Sequence, residues 1–235
     1  VGTPLVQIRN THPDFFWLPT FLETSLLRAV WYPTTVATLS WNVRKMIAAA
    51  LEKTCETPDE ILPFRLHDFG ARGATSFEQA GLGGVAHLVS FMGTDTVSGV
   101  VAARKYYSEP MAGFSIPAAE HSTMTSWGED RETEAYENML QQFGGDGKLV
   151  AVVSDSYDLF RAVRKIWGGE LKQQVETMGG TLVVRPDSGD ATRVPIDTIE
   201  MLGEIFGYSV NAKGFKVLAP CVRVIQGDGI SPKTI

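Results

Sequence analysis

Apolar residues along the chain fall into stretches of helical and of strand spacing that alternate. Residues 15–31 (FFWLPTFLETSLLRAVW) have the spacing of a helix that Tyr32-Pro33 closes, because proline lacks the donor the next turn needs. Ser40 is placed as the N-cap of a second helix, with Val43, Met46, Ile47, Ala50 and Leu51 on its apolar face. A strand is expected at 64–69 (FRLHDF), then helices over 77–89 and, after SFMG, over 95–107. An amphipathic helix over 131–143 stops at Gly144-Gly145. The second half repeats the rhythm: strand 149–153 (LVAVV), helix 156–167, strand 181–185 (TLVVR), a helix near 194–206 and strand 221–226 (CVRVIQ). Strands separated by helices imply βαβ units and a mainly parallel sheet, closed into a barrel or left open.

Polar or glycine-rich residues follow strand after strand: Phe69-Gly70 with Arg72-Gly73, Gly93-Thr94-Asp95, Ser154-Asp155, Arg185-Pro186-Asp187-Ser188-Gly189 and Gly227-Asp228-Gly229. In α/β folds that edge gathers loops and helix N-termini, so a ligand site is expected there.

Composition narrows the field. The 235 residues are 44% hydrophobic and 20% charged, which suits a globular protein with a substantial core. A formal net charge of -6 argues against nucleic-acid or membrane-surface binding, so an anionic substrate would need local arginines. Cys55 and Cys221 have no metal-binding spacing and read as reduced, structural thiols in a cytoplasmic setting. No apolar run is long enough to span a bilayer. The start at Val1 and the stop at Ile235 read as cuts within a longer protein.

Each candidate residue has a plain reading and a chemical one. Phe69 and Arg72 either end a strand in a turn or offer a stacking ring and an anion clamp. Asp95 either caps the helix it opens or accepts N–H from a ligand. Asp187 makes an Asx-type turn or accepts from a ribose diol, and Arg185 is a surface ion pair or faces phosphate or an aromatic ligand. His121 is structural or, beside phosphate, a proton donor or nucleophile. The histidines at 12, 67 and 87 have no metal-ligand spacing, and His67 reads as a packed strand residue. Walker, GxSxG, HExxH and GxGxxG motifs are missing. The residues alone thus reach an α/β protein with an anion- and sugar-compatible site at one sheet edge.

The segments WYPTTVAT (31–38), LHDFGARG (66–73), HLVSFMGTDTVSG (87–99), IPAAEHSTMTSWG (116–128), VVSDSYD (152–158), KIWG (165–168), RPDSG (185–189) and VRVIQGDG (222–229) are spread over nearly the whole chain. In combination and order they resemble the nicotinamide phosphoribosyltransferase family, the barrel type related to nicotinate phosphoribosyltransferase. The resemblance implies that residues 1–235 are the central part of a (β/α) barrel-like catalytic domain with a strand-tip active site, flanking parts lying outside. It implies NAD salvage: nicotinamide and phosphoribosyl pyrophosphate give nicotinamide mononucleotide and pyrophosphate, with Mg2+ on the pyrophosphate and no protein-held metal. ATP is implied as an activity-enhancing co-substrate that phosphorylates His121. Phe69 would stack on the pyridine ring, Asp95 accept the carboxamide N–H, and Arg185 flank the base. Asp187 and Asp228 would orient the ribose, Arg72 and His121 would meet phosphate, and Arg223 counts among the substrate-binding residues. A cytoplasmic homodimer with a shared site is implied as well. The family's Tyr stands where this chain has Ala71, and its tunnel-lining Ser where this chain has Ala151. The alternatives are nicotinate phosphoribosyltransferase activity and a non-catalytic nucleotide-binding fragment.

Overall fold

The computed structural model describes residues 2–4 and 6–235, which divide into two compact units. Pro63–Phe114 and the chain up to Arg44 form the first, and Lys45–Leu62 with Ser115–Ile235 form the second.

Helix α1 (Leu18–Thr54) is one 37-residue element where two helices were expected. Pro33 lies inside it, and Ser40 is buried mid-helix instead of capping a second one. A proline in a helix costs one hydrogen bond and some crowding, which the helix-favouring residues on either side outlast. Thr35 and Thr38 also bond back to the carbonyls of Trp31 and Thr34, at 2.9 and 2.7 Å.

A short helix α2 (Pro58–Ile61) closes the second unit's first segment, and in the first unit the expected strand at 64–69 shrinks to β1 (His67–Asp68), because a 3-10 turn at Leu62–Phe64 takes up its start. β1 pairs in parallel with β2 (Gly93–Thr94), His67 opposite Gly93. Helices α3 (Phe77–His87) and α4 (Val97–Tyr107) follow these strands. They pack backbone to backbone: a Cβ on Gly84 would lie 2.8 Å from the Gly99 Cα, so only glycine permits this crossing.

In the second unit β3 (Leu149–Val153), β4 (Thr181–Arg185) and β7 (Val222–Val224) form a parallel sheet in the order β3-β4-β7. Val150, Val152, Leu182, Val184 and Val222 are wholly buried, as expected for strands covered on both faces. Helix α5 (His121–Thr125) precedes α6 (Glu132–Phe143), which ends at Gly144 as its sequence predicts. The helix expected over 156–167 begins at Leu159 as α7 (Leu159–Arg161), capped by the Asp158 carboxylate. It widens into a π-helix at Ala162–Glu170 and continues as α8 (Lys172–Thr177). Helix α9 (Val194–Phe206) matches its expected span. An antiparallel hairpin of β5 (Tyr208–Val210) and β6 (Lys216–Leu218) was not foreseen from the sequence. The parallel α/β pairing expected from the sequence is therefore present. Among the described residues no sheet closes on itself.

Candidate active site

Sheet register builds the second unit's cluster. Val153 pairs with Arg185, so Asp155 and Asp187 each sit two residues beyond matched strand ends. The segment before α5 adds to the free edge of β3: Ala119 N donates to the Ala151 carbonyl at 2.9 Å, and Ala151 N to that of Pro117 at 2.9 Å. This short parallel bridge carries Glu120 and His121 to the tip of β3. The Thr123 hydroxyl, 2.8 Å from the Glu120 carbonyl, fixes the chain as it enters α5.

His121 therefore faces two carboxylates. Its Nε2 is 3.1 Å from Asp155 Oδ1, and its Nδ1 is 3.6 Å from Asp187 Oδ2. Asp155 Oδ2 accepts the Asp187 amide at 3.0 Å and the Ser188 hydroxyl at 2.5 Å. Burial works to raise the Asp155 pKa, but the bonds from Ser188, the Asp187 amide and His121 together outweigh it. The carboxyl is held below the usual range. An ionised Asp155 anchors one imidazole nitrogen and turns the other toward Asp187, where it can exchange a proton with a ligand.

Arg185 is buried beneath the cluster. Its Nη1 donates to the Ala119 carbonyl at 3.2 Å, and its Nη2 lies 3.4 Å from Asp187 Oδ2 and 3.8 Å from Glu120 Oε2. Its Nε finds no hydrogen-bond partner among the described residues. An unmet buried donor costs about 1–3 kcal/mol, so this N–H suits an arriving acceptor. The loop after β7 closes over the pair, with Gly227 N bonded to the Pro186 carbonyl at 2.9 Å. A side chain at Gly227 would overlap the Asp187 carboxylate, so the loop passes directly against Asp187. Asp228 itself is exposed. Arg223 turns the other way: its Nη1 donates to the carbonyls of Leu218, Ala219 and Val222, at the start of β7.

The first unit holds the other expected residues. Asp68 Oδ1 accepts the Gly70 amide at 2.7 Å and starts a 3-10 turn, Gly70–Gly73, that carries Arg72 at the surface. Phe69 is half-buried, its ring centroid 5.9 Å from that of His67. Asp95 does not open α4, since Thr96 holds the N-cap position. The Asp95 amide instead donates to the Asp68 carbonyl at 2.9 Å and extends the β1–β2 pairing. Its exposed side chain borders an open depression of about 480 Å³ shared with Ala71, Ala74, Ser76 and Ser98. His67 is packed on β1 as expected; burial lowers its pKa, with Asp95 pulling the other way.

Asp155, Glu120 and Ser188 belong to the second unit's cluster without having been singled out from the sequence. Ser154-Asp155 was visible as a strand end, but its pairing with His121 depends on the edge bridge at Ala118. Among the described residues no group of histidines, cysteines and carboxylates has the arrangement of a metal site.

Against known proteins, the nicotinate phosphoribosyltransferase (NAPRTase) family matches residues 64–235. The chain is 55% identical over 235 residues to the nicotinamide phosphoribosyltransferase of Xanthomonas campestris pv. campestris (strain 8004), covering 98% of this chain and 49% of that protein. It is 33% identical over 248 residues to the protein of the same name from Acinetobacter baylyi, covering 97% and 48%. With the one from Mycoplasma pneumoniae it shares 33% over 249 residues, covering 99% and 52%. The chain thus spans about half the length of the curated relatives it matches.

Proposed function

The chain belongs to the nicotinate phosphoribosyltransferase family, and on that premise we propose that it serves phosphoribosyl transfer from phosphoribosyl pyrophosphate to nicotinamide. The products are nicotinamide mononucleotide and pyrophosphate, a step of NAD salvage. The observation that carries this reading is the His121–Asp155–Asp187–Arg185 cluster at the C-terminal edge of a parallel sheet.

Cleavage of the anomeric C–O bond leaves positive charge on the sugar and negative charge on the departing pyrophosphate. The carboxylates of Asp187 and Asp228 suit the ribose, accepting from its hydroxyls and stabilising the oxocarbenium-like centre. Arg185, whose Nε finds no partner among the described residues, suits the base or a phosphate oxygen, and His121 suits phosphate; Arg72, in the first unit, is assigned to phosphate as well. Mg2+ enters this reading on the substrate's pyrophosphate, where it would supply charge neutralisation. ATP as a co-substrate, with His121 as phosphate acceptor, belongs to the same reading, as does a cytoplasmic homodimer. Among the described residues no helix is long and apolar enough to cross a membrane.

In the first unit Phe69 is assigned to stacking on the pyridine and Asp95 to accepting the carboxamide N–H. An ionised Asp95 repels a carboxylate in the amide's place, which favours nicotinamide. The family's description favours nicotinate as the second reading. Pyrophosphate release by the full-length protein, measured with both pyridines for wild type and Asp95→Asn, separates the two. Wild type is expected to prefer the amide, and Asp95→Asn to lose about tenfold or more of that preference. An unchanged preference removes Asp95 from base selection.

A further inference from the structure

Directly behind Asp155 lies a buried polar chain to which the proposed reaction assigns nothing. Glu132 on α6 is 2% exposed; its Oε1 accepts the Tyr136 hydroxyl at 2.8 Å and its Oε2 accepts Arg161 Nη2 at 2.6 Å. Tyr136 stacks on Trp167 with ring centroids 4.7 Å apart and planes within 5°. Trp167 Nε1 donates to Ser154 Oγ at 3.1 Å, and that hydroxyl donates to the Val152 carbonyl at 2.9 Å. Tyr136, Trp167 and Ser154 are completely buried. Burial, and after it the Glu132 charge, drives the Tyr136 phenol far up; the Ser154 hydroxyl and the Asp155 charge act on it too.

A buried polar network is rarely more stable than the apolar packing that could replace it, so its value lies in fixing geometry. Here the fixed point is Ser154, whose amide is bonded to the Arg185 carbonyl at 3.0 Å and whose next residue is Asp155. Trp167 reaches it from the π-helix, a widened turn that recurs at functional sites.

We propose that Trp167 and Tyr136 are positioning residues which, through the Ser154 hydroxyl, hold the tip of β3 so that Asp155 meets His121 Nε2. This rests on the reading of His121 and Asp155 as groups of the reacting site.

The test uses the full-length protein and two readouts, the NMR titration of the His121 imidazole and steady-state pyrophosphate release. Trp167→Phe and Ser154→Ala are expected to move the His121 midpoint and to lower kcat roughly tenfold, with KM changed by less than about twofold. Ser154→Thr, which keeps the hydroxyl, retains both. Tyr136→Phe keeps the stack and is the milder probe if Trp167→Phe does not fold. Val175→Ala, cut from the same core, lowers the melting temperature without moving the His121 midpoint. The proposal is overturned if Trp167→Phe and Ser154→Ala behave like Val175→Ala, losing stability and nothing else. If wild type releases no pyrophosphate, the proposed function is what fails, and the His121 titration alone decides the positioning role.

Discussion

Asp155 accepts three hydrogen bonds while its side chain is nearly out of water, and those bonds outweigh the burial that disfavours its charge. Because its folded pKa is depressed, its stabilising contribution is complete above the ordinary value of 3.8 and disappears as pH falls through the folded value. Wild type and Asp155→Asn should therefore differ most in melting temperature near neutral pH, and the gap should close in acid. A gap independent of pH contradicts the assignment. Gly227 offers a second residue-scale test, since a Cβ there meets the Asp187 carboxylate and lies 3.3 Å from Arg185 Nε. Gly227→Ala is expected to cut turnover by about tenfold or more while lowering the melting temperature only a few degrees. An active variant would mean that the loop can retreat without consequence. His121, Asp187 and Arg185 were legible in the sequence because each stands at a strand or helix boundary with a motif around it. Asp155 was not, because its role comes from a neighbour 34 positions away across an edge bridge.

Elements were legible where one physical signal acted alone. Strands β3 and β4 read as unbroken apolar runs, and α9 has Pro195 at its start and Gly207 at its end. Two signals in conflict misled. Pro33 announces a helix end, yet the apolar and alanine-rich flanks carry α1 through it. Replacing it with alanine restores a main-chain donor, so Pro33→Ala should raise the melting temperature, by up to about 3 kcal/mol of stability. A fall would show that the ring contributes packing worth more than the lost bond. The β5–β6 hairpin hides in short, exposed strands. Its turn is set by the Asn211 side chain, which accepts from the amides of Lys213 and Phe215 at 3.1 and 2.9 Å, and by Gly214 at φ +82°. The π-helix has no sequence signature of its own, since its widened turn is a product of packing.

At the scale of the whole chain the two units answer differently to acid. His67 and His87, both in the first, have pKa values lowered chiefly by burial, so the folded state binds fewer protons than the unfolded chain below the ordinary 6.5. Stability there is full above 6.5 and declines as pH falls toward the folded values. Hydrogen exchange should find amides of 63–114 losing protection between about pH 7 and pH 5 before those of β3 and β4; simultaneous loss would contradict this. The parallel α/β organisation was legible from alternating periodicity, and the chemistry of the strand ends from their residue types. Division into two units was not, because nothing in composition marks the crossing at residues 44–45 inside one continuous helix. In the proposed reaction the Asp187 carboxylate stabilises charge on a ribosyl group. Pyrophosphate release by the full-length protein at saturating substrates, compared between wild type and Asp187→Asn, is the decisive measurement. Asp187→Asn is expected to lose about a hundredfold in kcat with the fold intact; equal rates for the two proteins would remove Asp187 from the reaction.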